Sequence, residues 1–419
     1  MPRPTTTSTR RSRRSRLALA AATLGALVVL PVALAGAAAD PGVTSTSILL
    51  GGTSPLTGPA AAYASVARGA NAYFQYVDAR GGVAGRKIQY EYLDDAYNPA
   101  QSVQVTRQLV EQDKVFAVFN SLGTEQNLAV RDYLNQLKVP QLFVASGATT
   151  WGRDTAQHPW TIGFQPSYQA EGWVYGKYVA KTRRKARVAV IFQNDDYGKD
   201  LLIGLKRGLE QSSSKVIAAQ PYEVTAADVS SQIAKLEASG ANVLAIFATP
   251  KFAIQSIVYA NRLAWRPLVI MNAVSGATNI MLLASESGKS KTILGTVTLN
   301  FLKDPTDPRW KSDPGMKLYR SIMARYAKGA NVNDVYHVYG MAVAYETVGL
   351  FKRLGKNVTR ARLMAAARSM NDPANPFLLP GIVVKTGPGD GFPIQQGQLQ
   401  RWTKGRWVPF GGLFDATKY

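Results

Sequence analysis

The chain has 419 residues, 46% hydrophobic and 18% charged, a globular composition long enough for two or three ordinary domains. It holds no cysteine and two histidines, His158 and His337, which excludes a disulfide framework, a thiol nucleophile, a thiolate metal site and a histidine-based zinc cluster. The formal net charge is +22, but no basic stretch is interleaved with aromatic residues as a nucleic-acid stacking platform would be, so it reads as a solvated basic surface.

Arg3, Arg10, Arg11, Arg13, Arg14 and Arg16 all precede Asp40, and no acid does. Residues 17–30 are almost entirely apolar; Pro31 and a run of small residues to Ala39 follow, with A-x-A at Ala35-Gly-Ala37 and at Ala37-Ala-Ala39. This pattern predicts a cleaved signal peptide over residues 1–39. The stretch is also just long enough to span a bilayer, but Pro31 and the small residues favour cleavage. Ser12-Arg13-Arg14-Ser15-Arg16-Leu17 resembles a twin-arginine signal with Arg16 where an aromatic is preferred, so the general secretory and twin-arginine routes both stay open. Leu34-Ala35-Gly36-Ala37 resembles a lipobox lacking its essential cysteine, so no lipid can be attached there. The expected location is the periplasm or free secretion, without a lipid anchor.

From Ser47 short apolar runs alternate with helical periodicity. Ile48-Leu-Leu-Gly-Gly reads as a buried strand and Thr57-Gly-Pro as a turn; Val66, Ala70, Tyr73 and Val77 recur at helical spacing until Gly81-Gly82. Ile88, Tyr90 and Tyr92 alternate with polar residues as a half-exposed strand. A helix opens at Asn98-Pro99; a strand at 115–119, a helix at 125–137 and a strand at 141–145 follow. After Trp160 the pattern restarts with strands at 187–192, 216–222, 242–248 and 268–271, and helices at 201–209, at 228–238 and from Ala253. Such alternation predicts an α/β fold of two similar Rossmann-like lobes, each a parallel sheet flanked by helices. Residues 305–314 read as a loop, 335–354 and 360–370 as helices, and the tail as a turn and short strands.

Ligands of open parallel sheets bind beyond the carboxyl ends of the strands. The loops there are Ser54-Pro-Leu-Thr-Gly-Pro, Asn120-Ser-Leu-Gly-Thr, Ser146-Gly-Ala-Thr, Asn194-Asp-Asp-Tyr-Gly, Ala248-Thr-Pro-Lys and Asn272-Ala-Val-Ser-Gly. They are rich in hydroxyls, small residues and helix-start N–H groups, which suit a carboxylate. Nucleophile–base pairs are lacking: there is no Gly-x-Ser-x-Gly elbow, no Walker loop and no dinucleotide fingerprint after the first strand. Asp94-Asp95 reads as a turn and a cap for the helix after Pro99; Asp195-Asp196 reads as a cap for the helix at Lys199 or a pocket wall. No catalytic residue, metal site or cofactor is expected.

The same loops carry a resemblance. Pro55-Leu-Thr-Gly-Pro, Gly69-Ala-x-Ala-Tyr, Gly81-Gly-Val-x-Gly-Arg-Lys-Ile, Leu93-Asp-Asp, Pro99-x-x-x-Val, Val139-Pro-x-Leu, Ser146-Gly-Ala-Thr and Asp196-Tyr-Gly-Lys run in register from about Ile48 to Val274. As a set they resemble the branched-chain amino-acid-binding (Leu/Ile/Val-binding-like) family of ABC-transporter solute receptors, the type I periplasmic binding proteins. The resemblance implies two lobes joined by a three-segment hinge, here 40–165 with 298–385 and 166–297 with 386–419. It implies a non-enzymatic solute receptor, monomeric, with a membrane permease as partner and no nucleic acid. By residue, it implies that Gly123 and Thr124 hold the ligand carboxylate. Gly147 and Thr149 hold the amine and carboxylate through a carbonyl and a hydroxyl, Ala148 between them is a further ligand-binding position, Tyr63 lines the side-chain pocket, Tyr197 adds an aromatic from the second lobe, and Thr249 stands where the family often has another. At Ala273 the family's amino-acid binders place an acid against the ammonium; with no acid here, Asp195, Asp196 or Asn272 could substitute, or the ligand is a carboxylate or amide without an α-amine. The expected solute is a branched-chain or related amino acid or a small carboxylate or amide. A ligand sensor of the same fold, coupled to a signalling receptor or regulator, is the alternative reading. A secreted hydrolase would need a nucleophile and base that the sequence does not offer.

Overall fold

The computed structural model describes residues 40–286 and 289–416. The predicted signal peptide at 1–39 lies outside the described residues.

The first lobe is built on a parallel sheet of β1 (Ser47–Ser54), β2 (Lys87–Asp94), β3 (Ala117–Phe119), β4 (Gln141–Val144) and β5 (Thr161–Gly163), in the order β2-β1-β3-β4-β5. Its inner strands are apolar on both sides, as they must be when helices cover both faces. The covering helices are α1 (Ala64–Asp78), α2 (Pro99–Arg107), α3 (Thr124–Gln136) and the short α4 (Thr150–Arg153).

The second lobe holds α5 (Tyr168–Thr182), β6 (Arg187–Gln193), α6 (Asp196–Leu209), β7 (Lys215–Tyr222), α7 (Ser230–Ala238), β8 (Val243–Phe247), α8 (Pro250–Arg262), β9 (Leu268–Met271), α9 (Thr278–Ala284) and β10 (Val297–Asn300). The chain then returns to the first lobe as α10 (Pro314–Tyr326), α11 (Val335–Leu354), α12 (Arg360–Ala367) and the small pair β11 (Asn371–Asp372) and β12 (Val384–Lys385). A final crossing delivers β13 (Gln396–Thr403) and β14 (Arg406–Asp415) to the second sheet, whose order is β14-β13-β10-β9-β8-β6-β7. Three crossings therefore join two α/β lobes.

Three features depart from the expectations. The second sheet is mixed, because β13 pairs antiparallel with β10 and β14 antiparallel with β13; a two-residue turn at Lys404-Gly405 allows only that sense. The lobe boundary expected at 297/298 would cut β10, which pairs with β9 and β13, so the crossing back follows Asn300. Between the loop at 305–314 and α11, where the sequence pattern predicts no element, the chain forms α10, which starts at Pro314 with the Asp313 carboxylate accepting the Met316 N–H at 2.9 Å.

One contact in the second lobe is invisible to hydrophobic patterning. Helices α5 and α6 cross through Gly172, Gly176, Gly204 and Gly208; a Cβ on Gly172 would lie 2.2 Å from the Leu201 carbonyl oxygen, and one on Gly204 2.0 Å from that of Gln169. The glycines let the two backbones touch. Gly204→Ala should therefore destabilise the protein by about 1–3 kcal/mol, although alanine is the better helix former. A lower urea midpoint with an unchanged m-value is the expected readout.

Candidate functional site

The parallel strands of each lobe end at a common edge, and the two edges face each other across one cavity, the kind of inter-lobe cleft in which small molecules commonly bind. Tyr63 enters after β1, Tyr97 after β2, Gly123 and Thr124 after β3. Tyr197, Thr249 and Ala273 enter from the second lobe after β6, β8 and β9. Tyr168 at the start of α5, Tyr336 and Tyr339 on α11, and Phe301 and Asp304 on the second crossing complete the wall.

Gly123 sits at φ 111°, a conformation that favours glycine. It turns the chain directly into α3, which begins without a side-chain cap. The first N–H groups of such a helix lack intrahelical partners and carry the positive end of its dipole. Beside them the Thr124 hydroxyl is shared with that of Ser146 at 2.7 Å. Across the cavity the Tyr197 hydroxyl donates to the Asn272 side-chain oxygen at 2.8 Å, while the Asn272 nitrogen donates to the carbonyls of Ala248 and Ile246 at 3.2 and 3.0 Å. Thr249 is held by its N–H to the Tyr222 hydroxyl at 3.0 Å, and that hydroxyl donates to Gln193. The Tyr63 hydroxyl is buried without a partner among the described residues.

Hydrogen bonds cross between the lobes around the cavity. The Glu125 carboxylate accepts the Asp196 N–H at 3.2 Å, Asp200 accepts the Thr149 N–H at 2.7 Å, and the Tyr336 hydroxyl donates to the Val274 carbonyl at 2.7 Å. The Glu125 contact sets a carboxylate at the positive end of α6, a favourable placement.

Among the described lining residues Asp304 alone carries a charge. Its oxygens already accept from the Thr278 hydroxyl at 2.7 Å and from the Thr306 N–H and hydroxyl at 2.8 and 2.6 Å. Behind Ala273 lies a second acid. Glu171 of α5 is 2% exposed and accepts the Ala273 N–H at 2.7 Å and the Tyr175 hydroxyl at 2.8 Å. Burial pushes its carboxyl up to about 7 against the pull of those two donors.

Of the nine residues singled out from the sequence, Tyr63, Gly123, Thr124, Tyr197, Thr249 and Ala273 line the cavity; Gly147, Ala148 and Thr149 do not. The ring of Tyr168 stands over Gly147, 2.7 Å from where a Cβ would be, and its N–H donates to the Gly147 carbonyl at 2.6 Å. Ala148 packs in the second lobe's aromatic core. Thr149 faces a separate surface pocket, its hydroxyl bonded to Ser167 at 2.9 Å. The three groups offered in place of the missing acid also point elsewhere. Asn272 is saturated by strand ends and Tyr197, Asp195 caps α6 through the Gly198 N–H at 3.2 Å, and Asp195 and Asp196 line a neighbouring inter-lobe pocket. Asp94 pins the β1 loop through Leu56 and Thr57, and Asn98 rather than Asp95 caps α2. His158 bonds Asp132 at 2.9 Å, and His337 is buried with neither ring nitrogen paired among the described residues.

Sequence reasoning missed Tyr97, Tyr168, Tyr336 and Tyr339. Tyr97 follows a predicted strand and was open to the strand-end argument. Tyr336 and Tyr339 sit in a helix whose aromatic spacing is indistinguishable from core.

Residues 47–406 match the sequence profile of the periplasmic binding protein family. The chain belongs to that family. It is 30% identical over 215 residues to the Leu/Ile/Val-binding protein homolog 2 of Brucella abortus, a match covering 51% of this chain and 57% of that protein. The chain thus spans little more than half the length of the curated relatives it matches. The fold is shared with a branched-chain amino acid ABC transporter protein from Thermus thermophilus solved with bound valine (TM-score 0.78, 18% identity, 89% of this chain and 97% of that one). It is shared as well with a fatty acid ABC transporter substrate-binding protein from Thermomonospora curvata (TM-score 0.77, 20% identity, 91% and 96%). This periplasmic binding protein is thus a member of an extracytoplasmic family of solute-binding proteins, and no helix among its described residues is long and apolar enough to cross a membrane.

The Glu171 carboxyl gives this binding protein a pH signature. Its folded pKa, about 7, lies above the ordinary 4.5, so the folded state holds the proton more tightly. Stability from this group is complete below about 4.5 and falls as pH rises to about 7, at a slope of up to about 1.4 kcal/mol per pH unit. Asp195, raised to about 6, and Glu346, raised to about 8 by burial, act in the same direction. Glu171→Gln keeps an acceptor for the Ala273 N–H but removes the titration. Its melting temperature should rise relative to the parent between pH 5 and 8, and the two should converge in acid.

Proposed function

We propose that the chain is the extracytoplasmic solute receptor of an ABC importer. It takes a branched-chain or related amino acid, or a small carboxylate or amide, between its lobes by hinge closure and presents it as a monomer to a membrane permease. The observation that carries this reading is the cavity itself, which joins an uncapped helix start to tyrosines supplied by both lobes. In this reading the carboxylate or amide oxygen meets the first N–H groups of α3 and the Thr124 hydroxyl. The apolar body packs on Tyr63, Tyr197, Tyr336 and Phe301, whose rings suit it by shape and burial. The names of the similar proteins agree with such a solute: leucine, isoleucine, valine and fatty acids all join a carboxylate to an apolar body.

Closure explains how binding without bond breaking becomes a signal. Ligand contacts from both lobes favour the closed state by their differential affinity for it. The inter-lobe bonds of Glu125 and Asp200 add to the same state from outside the cavity, and that of Tyr336 adds to it from the cavity wall.

A panel of amino acids, their deaminated acids and their amides tests the reading by thermal shift and calorimetry. A true ligand at a hundredfold excess over Kd should add about 2.7 kcal/mol of stability. Tyr197→Ala and Thr124→Ala should each weaken binding at least about tenfold; Thr124→Ala should leave the unliganded melting temperature within a few degrees, whereas Tyr197→Ala, at a side chain only 2% exposed, should also lower it. A panel without any stabilising member would sink the proposal.

A further inference from the structure

Facing away from the cavity, the base of the second lobe carries a surface that solute binding does not use. It lies at the amino ends of the parallel strands, where α8 and α9 finish and the β13–β14 hairpin turns. Four leucines stand out there: Leu263 is 44% exposed, Leu282 49%, Leu283 62% and Leu294 59%. Leu282, Leu283 and Leu294 line one groove together with Trp402 and Lys404, and the groove runs from the base up the flank of α9 to Asn279 and to Asn331 of the first lobe. The loop carrying Leu263 is tied to the same patch, because the Lys291 N–H donates to Asn261 at 3.2 Å and Arg266 donates to the Thr292 hydroxyl at 2.8 Å.

Exposed cations surround these leucines: Arg262, Arg266, Lys291, Lys404 and Arg406. Arg262 complements the carboxyl end of α8, as cations at helix ends commonly do. The other four lie on loops or at the start of a strand, where no helix dipole calls for them. Glu286 is the one acid among the described residues of this groove, and it already accepts from Asn261 at 3.4 Å. The basic character continues along the base through exposed Arg183-Arg184-Lys185. The cavity end of the same lobe has the opposite character, with Asp195, Asp196 and Glu223 around the neighbouring pocket.

Clustered large apolar side chains on a surface mark an interaction site, and a ring of cations selects an anionic partner. A soluble polyanion would use the cations and leave the leucines in water. A bilayer uses both: the leucines enter the headgroup region while lysine and arginine sit over lipid phosphates. We propose that the base of the second lobe docks on the surface of an anionic phospholipid membrane. The leucines and cations lie toward the amino ends of the strands, so the contact leaves the cavity at the opposite strand ends open to solute.

The test is co-sedimentation of the purified chain with phosphatidylglycerol-containing vesicles and with pure phosphatidylcholine vesicles, at low and raised salt. Binding should require phosphatidylglycerol and weaken with salt. Lys291→Glu with Lys404→Glu should lower it by at least about tenfold, and Leu283→Ser with Leu294→Ser should lower it severalfold. Both pairs should keep the parental circular dichroism and melting temperature, since all four side chains are exposed. No sedimentation, or equal sedimentation with both lipids, overturns the proposal. So does binding that the charge pair abolishes while the leucine pair retains it in full, which marks a plain polyanion surface. A concentration-dependent dimer lost in the leucine pair, without vesicle binding, assigns the face to a second copy instead.

Discussion

A parallel strand must deliver its carboxyl end to the same edge as its neighbours, because each crossover helix carries the chain back along the sheet face before the next strand begins. In this protein that constraint operates twice, and the two edges are opposed. Loops far apart in sequence, from Tyr63 to Thr249 and Ala273, thereby share one cavity. Their chemistry follows from their position. Strand ends hand over to helix starts, helix starts present unpaired N–H groups, and the short turns between them are rich in small and hydroxylated residues. The glycine at 123 is needed because the turn into α3 passes through φ 111°.

The crossings add what the strand ends lack. Phe301, Asp304 and the α11 tyrosines reach the cavity only because the chain leaves the second lobe after β10 and runs back through α10. The segments that join the lobes thus also form part of the wall, and a solute that touches them can bias the hinge directly. Glu171 extends the same economy of parts: one buried carboxyl anchors Ala273 and Tyr175, and its raised pKa is the cost of burial offset only in part by two hydrogen bonds.

Much of the fold was legible beforehand. The alternation of apolar runs with helical spacing predicted both lobes, and the order of strand, turn and helix brings six of the nine residues singled out from the sequence to the cavity wall. Gly147, Ala148 and Thr149 lie off the cavity wall for a reason that no local pattern carries. Tyr168, further along the chain, folds its ring over the β4 loop and takes the Gly147 carbonyl for its own N–H. The mixed sheet was missed because the tail was read as short strands, whereas β13 and β14 form a long hairpin on the edge of the sheet.

Periodicity, turn residues and loop chemistry are local, so the sequence by itself determined the α/β architecture, the strand-end loops and the family resemblance that the match over residues 47–406 bears out. Which side chains share a cavity is not local. The α5–α6 glycine contact, the inter-lobe bonds of Glu125 and Asp200, and the placement of Glu171 behind Ala273 depend on how surfaces distant in sequence meet. Only the tertiary structure decided them, because burial and hydrogen-bond partnership are properties of the packed whole and not of any stretch of chain.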